Sequence, residues 1–244
     1  FLQCELFLYF GGMKLKFGLS LFFVLIFSCC QAGFSTEYVV HNYDHNYAVT
    51  LKKSTDSIIQ LKKQIGAFAK NKDYGKAIIH SKKLLKQAQF LADSNHISNA
   101  YWRQGYYFKI MDQLDSAYYY LDRSFTINLK LMDSIGAGDR LLDMANIQKS
   151  LGDYNGGMIT ATEGLQYLEG SQEIESVSGL YQTISVCQKE LGNYQEALRW
   201  SNKIFSLLNQ HPSSDISTEN MYAMRTTRAN ILALLGEFKP SFGI

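Results

Sequence analysis

Two histidines four residues apart, His41 and His45, bracket Asp44. On a helix that spacing turns both imidazoles to one face, as in many zinc sites, but structural zinc takes four ligands and no third stands nearby. The ligand count favours two solvated histidines, and His80, His96 and His211 are scattered singly. Three of the four cysteines, Cys4, Cys29 and Cys30, fall in the N-terminal apolar region, so no disulfide framework can be drawn. Cys187 lies on the packing side of a helical pattern, where a thiol behaves as a small hydrophobe. Gly136-Ala137-Gly138 comes nearest to a phosphate-binding loop, but it lacks the third glycine and the preceding strand and reads as an inter-helix turn. No nucleophile elbow, HExxH or CxxC occurs. Catalytic, metal and cofactor residues are therefore assigned as none, and the residues present are read as non-enzymatic.

The residues that recur are of a different kind. Leu191-Gly192-Asn193-Tyr194-Gln195-Glu196-Ala197 joins a glycine able to take positive φ, a capping asparagine and a small alanine. Leu151-Gly152-Asp153-Tyr154-Asn155-Gly156-Gly157 nearly repeats it, and weaker copies begin at Lys72, Asp112 and Leu235. The large residue falls at Tyr74, Leu114, Tyr154, Tyr194 and Phe238, giving spacings of 40, 40, 40 and 44. Such a period marks a repeat array. The signature positions are Tyr74, Ala77, Gly105, Ala117, Gly152, Tyr154, Gly192, Tyr194, Ala197 and Gly236.

Between the turns runs a period of three and four, as in Ile58, Leu61, Ile65 and Phe68. Tyr101, Gly105 and Phe108 before one turn are answered by Ala117, Leu121 and Ser124 after it, so large and small residues alternate in register. A chain 46% hydrophobic with only two prolines suits such helices. This arrangement resembles the tetratricopeptide repeat over roughly residues 50 to 244. The resemblance implies an all-α, right-handed solenoid of antiparallel helix pairs, about five repeats with the last incomplete. The usual period is 34 residues, and the excess is expected to lengthen helices and inter-repeat loops. Breaks between repeats are expected at Ser134 to Asp139, Gly170 to Ser176 and Ser213 to Asn220. The fifth unit reaches its turn at Gly236 and stops within its second helix, so the chain reads as truncated at its C-terminus, part of a longer polypeptide.

Residues 1 to 12 precede the first methionine and read as an upstream extension that is not native. Residues 13 to 32 carry the pattern of a signal peptide: basic Lys14 and Lys16, apolar Phe17 to Phe27, and Cys30-Gln31-Ala32 before Gly33. The apolar run is short of the roughly 20 residues of a spanning helix. Export to the periplasm or cell envelope is the expectation. Ile26-Phe27-Ser28-Cys29 also resembles a bacterial lipobox, which would place a lipid on Cys29. Residues 33 to 49 read as a linker, and residues 50 to 244 as the repeat domain.

The formal charge is +2, with 24 basic and 22 acidic residues. That balance lacks the basic footprint of a nucleic-acid binder. By the resemblance, the first (A) helix of each repeat lines a concave groove, and a protein or peptide segment is the expected partner. The contact candidates are Asn99, Trp102, Tyr106, Lys109, Asn146, Lys149, Gln182 and Lys189, with Leu142 and Val186 beside them. Lys109, Lys149 and Lys189 recur at the repeat period and suggest a ladder for an acidic peptide or a terminal carboxylate. Trp102 and Tyr106 are the expected aromatic anchor. The leading reading is an interaction scaffold of the bacterial envelope. Its alternatives are the periplasmic sensor input of a histidine kinase or transcriptional regulator, since signal and period resemble that region of two-component proteins, and an outer-membrane lipoprotein.

Overall fold

The computed structural model describes residues 6–10, 13–17, 36–212 and 216–236. It separates into two units, Phe1–Asp56 and Ser57–Ile244. In the first, β1 (Leu6–Phe10) pairs antiparallel with β2 (Met13–Phe17), Leu6 opposite Phe17 and Phe10 opposite Met13. No strand was expected across this boundary between extension and signal. The cue was present: Met13-Lys14-Leu15-Lys16-Phe17 alternates apolar and basic, and Gly11-Gly12 is a hairpin-favouring dipeptide. Residues 18 to 35, with the rest of the expected signal and its cleavage site, lie outside the described residues.

Helix α1 runs Thr36–Lys70 and so begins inside the stretch read as a linker. No glycine or proline interrupts residues 36 to 65. Once the periodic segment near Ile58 forms, each further residue adds a hydrogen bond without a new nucleation cost. The side chains of His41 and His45 are outside the described set. Among the described residues no helix is long and apolar enough to cross a membrane.

Eight more helices follow: α2 (Tyr74–Phe90), α3 (Ser94–Ile110), α4 (Leu114–Leu131), α5 (Ser134–Ser150), α6 (Tyr154–Tyr167), α7 (Ile174–Glu190), α8 (Tyr194–Gln210) and α9 (Thr218–Leu234). The starts of α2 to α8 are 20 residues apart, so the 40-residue period is two equal halves, most of them a helix of 17 residues and a turn of three. The excess over a shorter repeat thus goes into the helices, and longer links occur only at 168–173 and 211–217. Ser134 to Asp139, expected as a break, opens α5 instead, and Gly136-Ala137-Gly138 is helical rather than a turn. The reason is a tight C-cap just upstream: Met132 takes φ 55° and Asp133 caps the new helix by accepting from Gly136 N at 2.9 Å.

That turn chemistry recurs. Lys72, Ala92, Asp112, Met132, Gly152 and Gly192 are all left-handed. In each case the next residue's N–H reaches back to the carbonyl five residues earlier, as Asp153 to Gln148 at 2.9 Å and Asp133 to Asn128 at 3.0 Å. This is a Schellman closure. Asp73, Asp93, Asp133 and Asp153 then cap the following helix. Asn193 does not: its amide donates to Gln188 Oε1 at 2.9 Å, and the backbone closure alone shapes that turn.

Packing explains the small signature residues. A Cβ on Gly105 would stand 3.1 Å from the Ala117 carbonyl and 2.7 Å from Leu121 Cγ, while one on Gly157 would stand 3.1 Å from the Ala145 carbonyl. At the matching place in the next repeat Ser185 Oγ donates to the Ala197 carbonyl at 2.8 Å. The helix pairs of the second, third and fourth repeats therefore close on near backbone contact. Leu121 packs with Met144 and Ile147 between the second and third repeats, and Ala161 and Leu168 pack with Leu180 and Ile184 between the third and fourth. Full burial of a side chain such as Leu121 contributes roughly 2 to 3 kcal/mol. The A helices also touch one another, α3 with α5, α5 with α7 and α7 with α9, and that layer forms the floor of the site.

Candidate functional site

A groove of 650 Å³ lies along α3, α5, α7 and α9. Helical spacing sets its floor: Asp139, Leu142, Asn146 and Lys149 on α5 are three or four residues apart and share one face. Of the eight sequence candidates, Trp102, Tyr106, Lys109, Asn146, Lys149 and Gln182 line it, as does Leu142. Asn99 and Lys189 do not. Asn99 accepts from Arg103 Nε at 2.8 Å within α3, and Lys189 pairs with Glu190 at 2.7 Å.

The lysine ladder does not form. Lys109 is bonded to Asp143, which also accepts Trp102 Nε1–H at 3.3 Å, so one carboxylate joins α5 to two residues of α3. Lys109 Nζ stands 5.5 Å over the Tyr106 ring. Lys149 is different. It donates to Asn146 Oδ1 at 2.7 Å and, among the described residues, has no carboxylate within ion-pair reach. Burial holds its pKa below the ordinary lysine value, and the charge of Lys109 adds to that, against the opposing pull of Cys187.

Trp102 lines the groove half-buried. Guanidinium carbons of Arg140 and Arg103 lie 4.9 and 5.7 Å from its ring centroid, and its N–H is bonded to Asp143. Tyr106, 39% exposed, is the aromatic open to a ligand.

Apart from Asn146 and Gln182, sequence reasoning missed the residues that join neighbouring A helices. Ser176 donates to Asp139 at 2.6 Å and Thr183 to Asn146 at 3.1 Å, tying α7 to α5. Asn220 donates to Glu175 at 2.9 Å, and Gln182 to Thr227 at 2.7 Å, tying α7 to α9. Arg140, Gly179, Ala223 and Met224 complete the lining. The available signal was the groove face itself, which continues one turn toward the start of each A helix beyond the positions singled out. Arg140 Nε and Gln182 Oε1 are buried without a hydrogen-bond partner. Among the described residues no three metal-ligating side chains converge, and Cys187 is a free, buried thiol. Burial raises its pKa.

No family model matches this sequence, and no curated protein matches it. Solved structures do match its shape. BtubC (BKLC) from P. vanneervenii is 13% identical with a TM-score of 0.64, the match covering 77% of this chain and 83% of that one. Apo RapI is 12% identical with a TM-score of 0.64, covering 81% of this chain and 55% of that one. A kinesin-light-chain-type array of nearly identical TPR-like repeats from Podosopora anserina is 12% identical with a TM-score of 0.58, covering 74% and 87%. At such identities the likeness speaks for the fold alone, and that fold is a tetratricopeptide-like helical-repeat solenoid.

Proposed function

We propose that this protein is an interaction scaffold that holds an extended peptide or protein segment in the groove of α3, α5, α7 and α9. The observation carrying this is the lining itself: an exposed tyrosine, amides, hydroxyls and both signs of charge. Buried Arg140 Nε and Gln182 Oε1 offer one donor and one acceptor that a small side-chain rotation would turn to a peptide main chain. Peptide arrays probed with the full chain should yield binders whose affinity falls about tenfold in Tyr106→Ala, the size of an aromatic hot spot. Circular dichroism should stay unchanged, because Tyr106 is exposed. Unaltered binding in both Tyr106→Ala and Gln182→Ala would move the site elsewhere.

The scaffold is proposed to work in the cell envelope, on the strength of Lys14, Lys16 and the apolar run Phe17 to Phe27. Intact mass of the mature protein is expected to place its first residue at Gly33. A lipidated Cys29 would favour the outer-membrane lipoprotein instead.

A further inference from the structure

Charge is not spread evenly over the groove. Glu175 stands in the first turn of α7 and Lys149 in the last turn of α5, while Asp139 lies in the second turn of α5. Glu175 and Lys149 each sit at the helix end whose dipole favours their sign, so the two rims of the groove carry opposite charges at these places. The other charges of the lining are paired: Lys109 with Asp143, and Arg140 with Asp139 at 3.9 Å. Two charges of the lining are left without an opposite partner among the described residues: Lys149 has an amide partner only, and Glu175 an amide only.

We infer that the groove selects a peptide segment that runs from rim to rim, in the direction of the A helices, and carries both signs: an acidic side chain toward Lys149 and a basic one toward Glu175. The inference rests on the peptide-groove reading and replaces the acidic ligand that a lysine ladder would have taken. Spacing follows from helix geometry. Glu175 comes fourteen positions before Lys189, the repeat counterpart of Lys149, a rise of about 21 Å along the helix. An extended chain advances about 3.3 Å per residue, so the two charges of the ligand should be roughly six residues apart. A segment running along the groove would meet one rim along its length and have no use for both signs.

The test uses four fluorescein-labelled nonapeptides with one uncharged filler sequence containing a central leucine. They carry Glu and Lys six residues apart, two Glu, two Lys or two Gln at the same places, and are titrated against the full chain by anisotropy at low salt. The mixed-charge peptide is expected to bind about tenfold more tightly than either like-charged one, with the advantage shrinking as salt rises. Lys149→Gln should weaken the Glu-containing peptides and spare the two-Lys peptide. Glu175→Gln should do the reverse, with melting temperature checked for each variant. Equal binding of all four peptides would overturn charge selection and leave the groove standing as a peptide site. Tighter binding of the two-Glu peptide would restore an acidic ligand in its place. Binding of none, in a chain of normal helicity, would overturn the groove reading with it.

Discussion

Lys149 shows how one side chain is shaped by both packing and use. Its ammonium is drawn into the end of α5 with an amide as partner, and desolvation lowers its pKa. A lysine whose folded pKa is depressed costs stability while it is charged. The cost is fully present below the folded pKa and is relieved as pH rises through it toward the unfolded value of about 10.4. Lys149→Met, similar in length and uncharged, is therefore expected to raise the melting temperature at neutral pH. The gain over the parent chain should shrink steadily as the buffer approaches pH 10. A gain that is absent at neutral pH, or constant with pH, would show that burial is not what sets this residue's energy. The same substitution removes the cation from the groove, so stability and binding should move in opposite directions. Such opposition is common where a site keeps a group that the fold alone would discard.

At the scale of the element, the repeat is defined by its turns. The left-handed residue is glycine at 152 and 192, but lysine, alanine, aspartate and methionine occupy the same place at 72, 92, 112 and 132. An L-residue there costs about 1 to 2 kcal/mol relative to its right-handed form. Met132 is 89% exposed, so its side chain adds almost no burial in return. Met132→Gly should therefore stabilise by about 1 kcal/mol, less the extra freedom glycine has when unfolded, and Gly192→Ala should destabilise by about 1 kcal/mol. Urea denaturation checks both, and equal midpoints for the two variants would mean that the backbone closure tolerates either residue. These turns also mark how much of the elements was legible. Gly152 and Gly192 announced theirs, because glycine is the residue this backbone favours. The turn at Met132 was placed several residues late, in Ser134 to Asp139, because methionine carries no turn signal and the glycines just beyond it do. Gly138 is there for contact instead: a Cβ would meet the Leu168 side chain at 2.5 Å.

In the whole solenoid, stability is a sum over neighbours, and the ends differ in what covers them. In α9 only Met224 and Ile231 are buried, against six residues of α5. Tyr222 and Leu234 are 73% and 53% exposed. Hydrogen exchange should therefore be fastest in α9 and slowest in α4 to α6, in a graded order and not as one cooperative step. Uniform protection would contradict a nearest-neighbour array. A ligand seated in the groove should raise protection of α9 most, since α9 holds one of its walls through Asn220, Ala223 and Met224.

The amino-acid sequence by itself determined the architecture, the period and the face on which a groove would lie. Those depend on local spacing: glycine and aspartate at turns, small residues at helix contacts and apolar residues every three or four places. It also pointed to six residues that line the groove, because helical phase alone decides which way Tyr106, Asn146 or Gln182 faces. Only the tertiary structure decided the state of those side chains. Lys109 and Lys149 are equivalent by repeat position, yet one meets Asp143 across the helix interface and the other does not. Arg140 from the next repeat lies over the Trp102 ring. Such pairings join residues 34 to 45 positions apart, and no local pattern reports whether a particular partner arrives with opposite charge. The physical reason is that helix phase is set within a few residues of chain, whereas the charge of a groove is set by what neighbouring helices bring beside it.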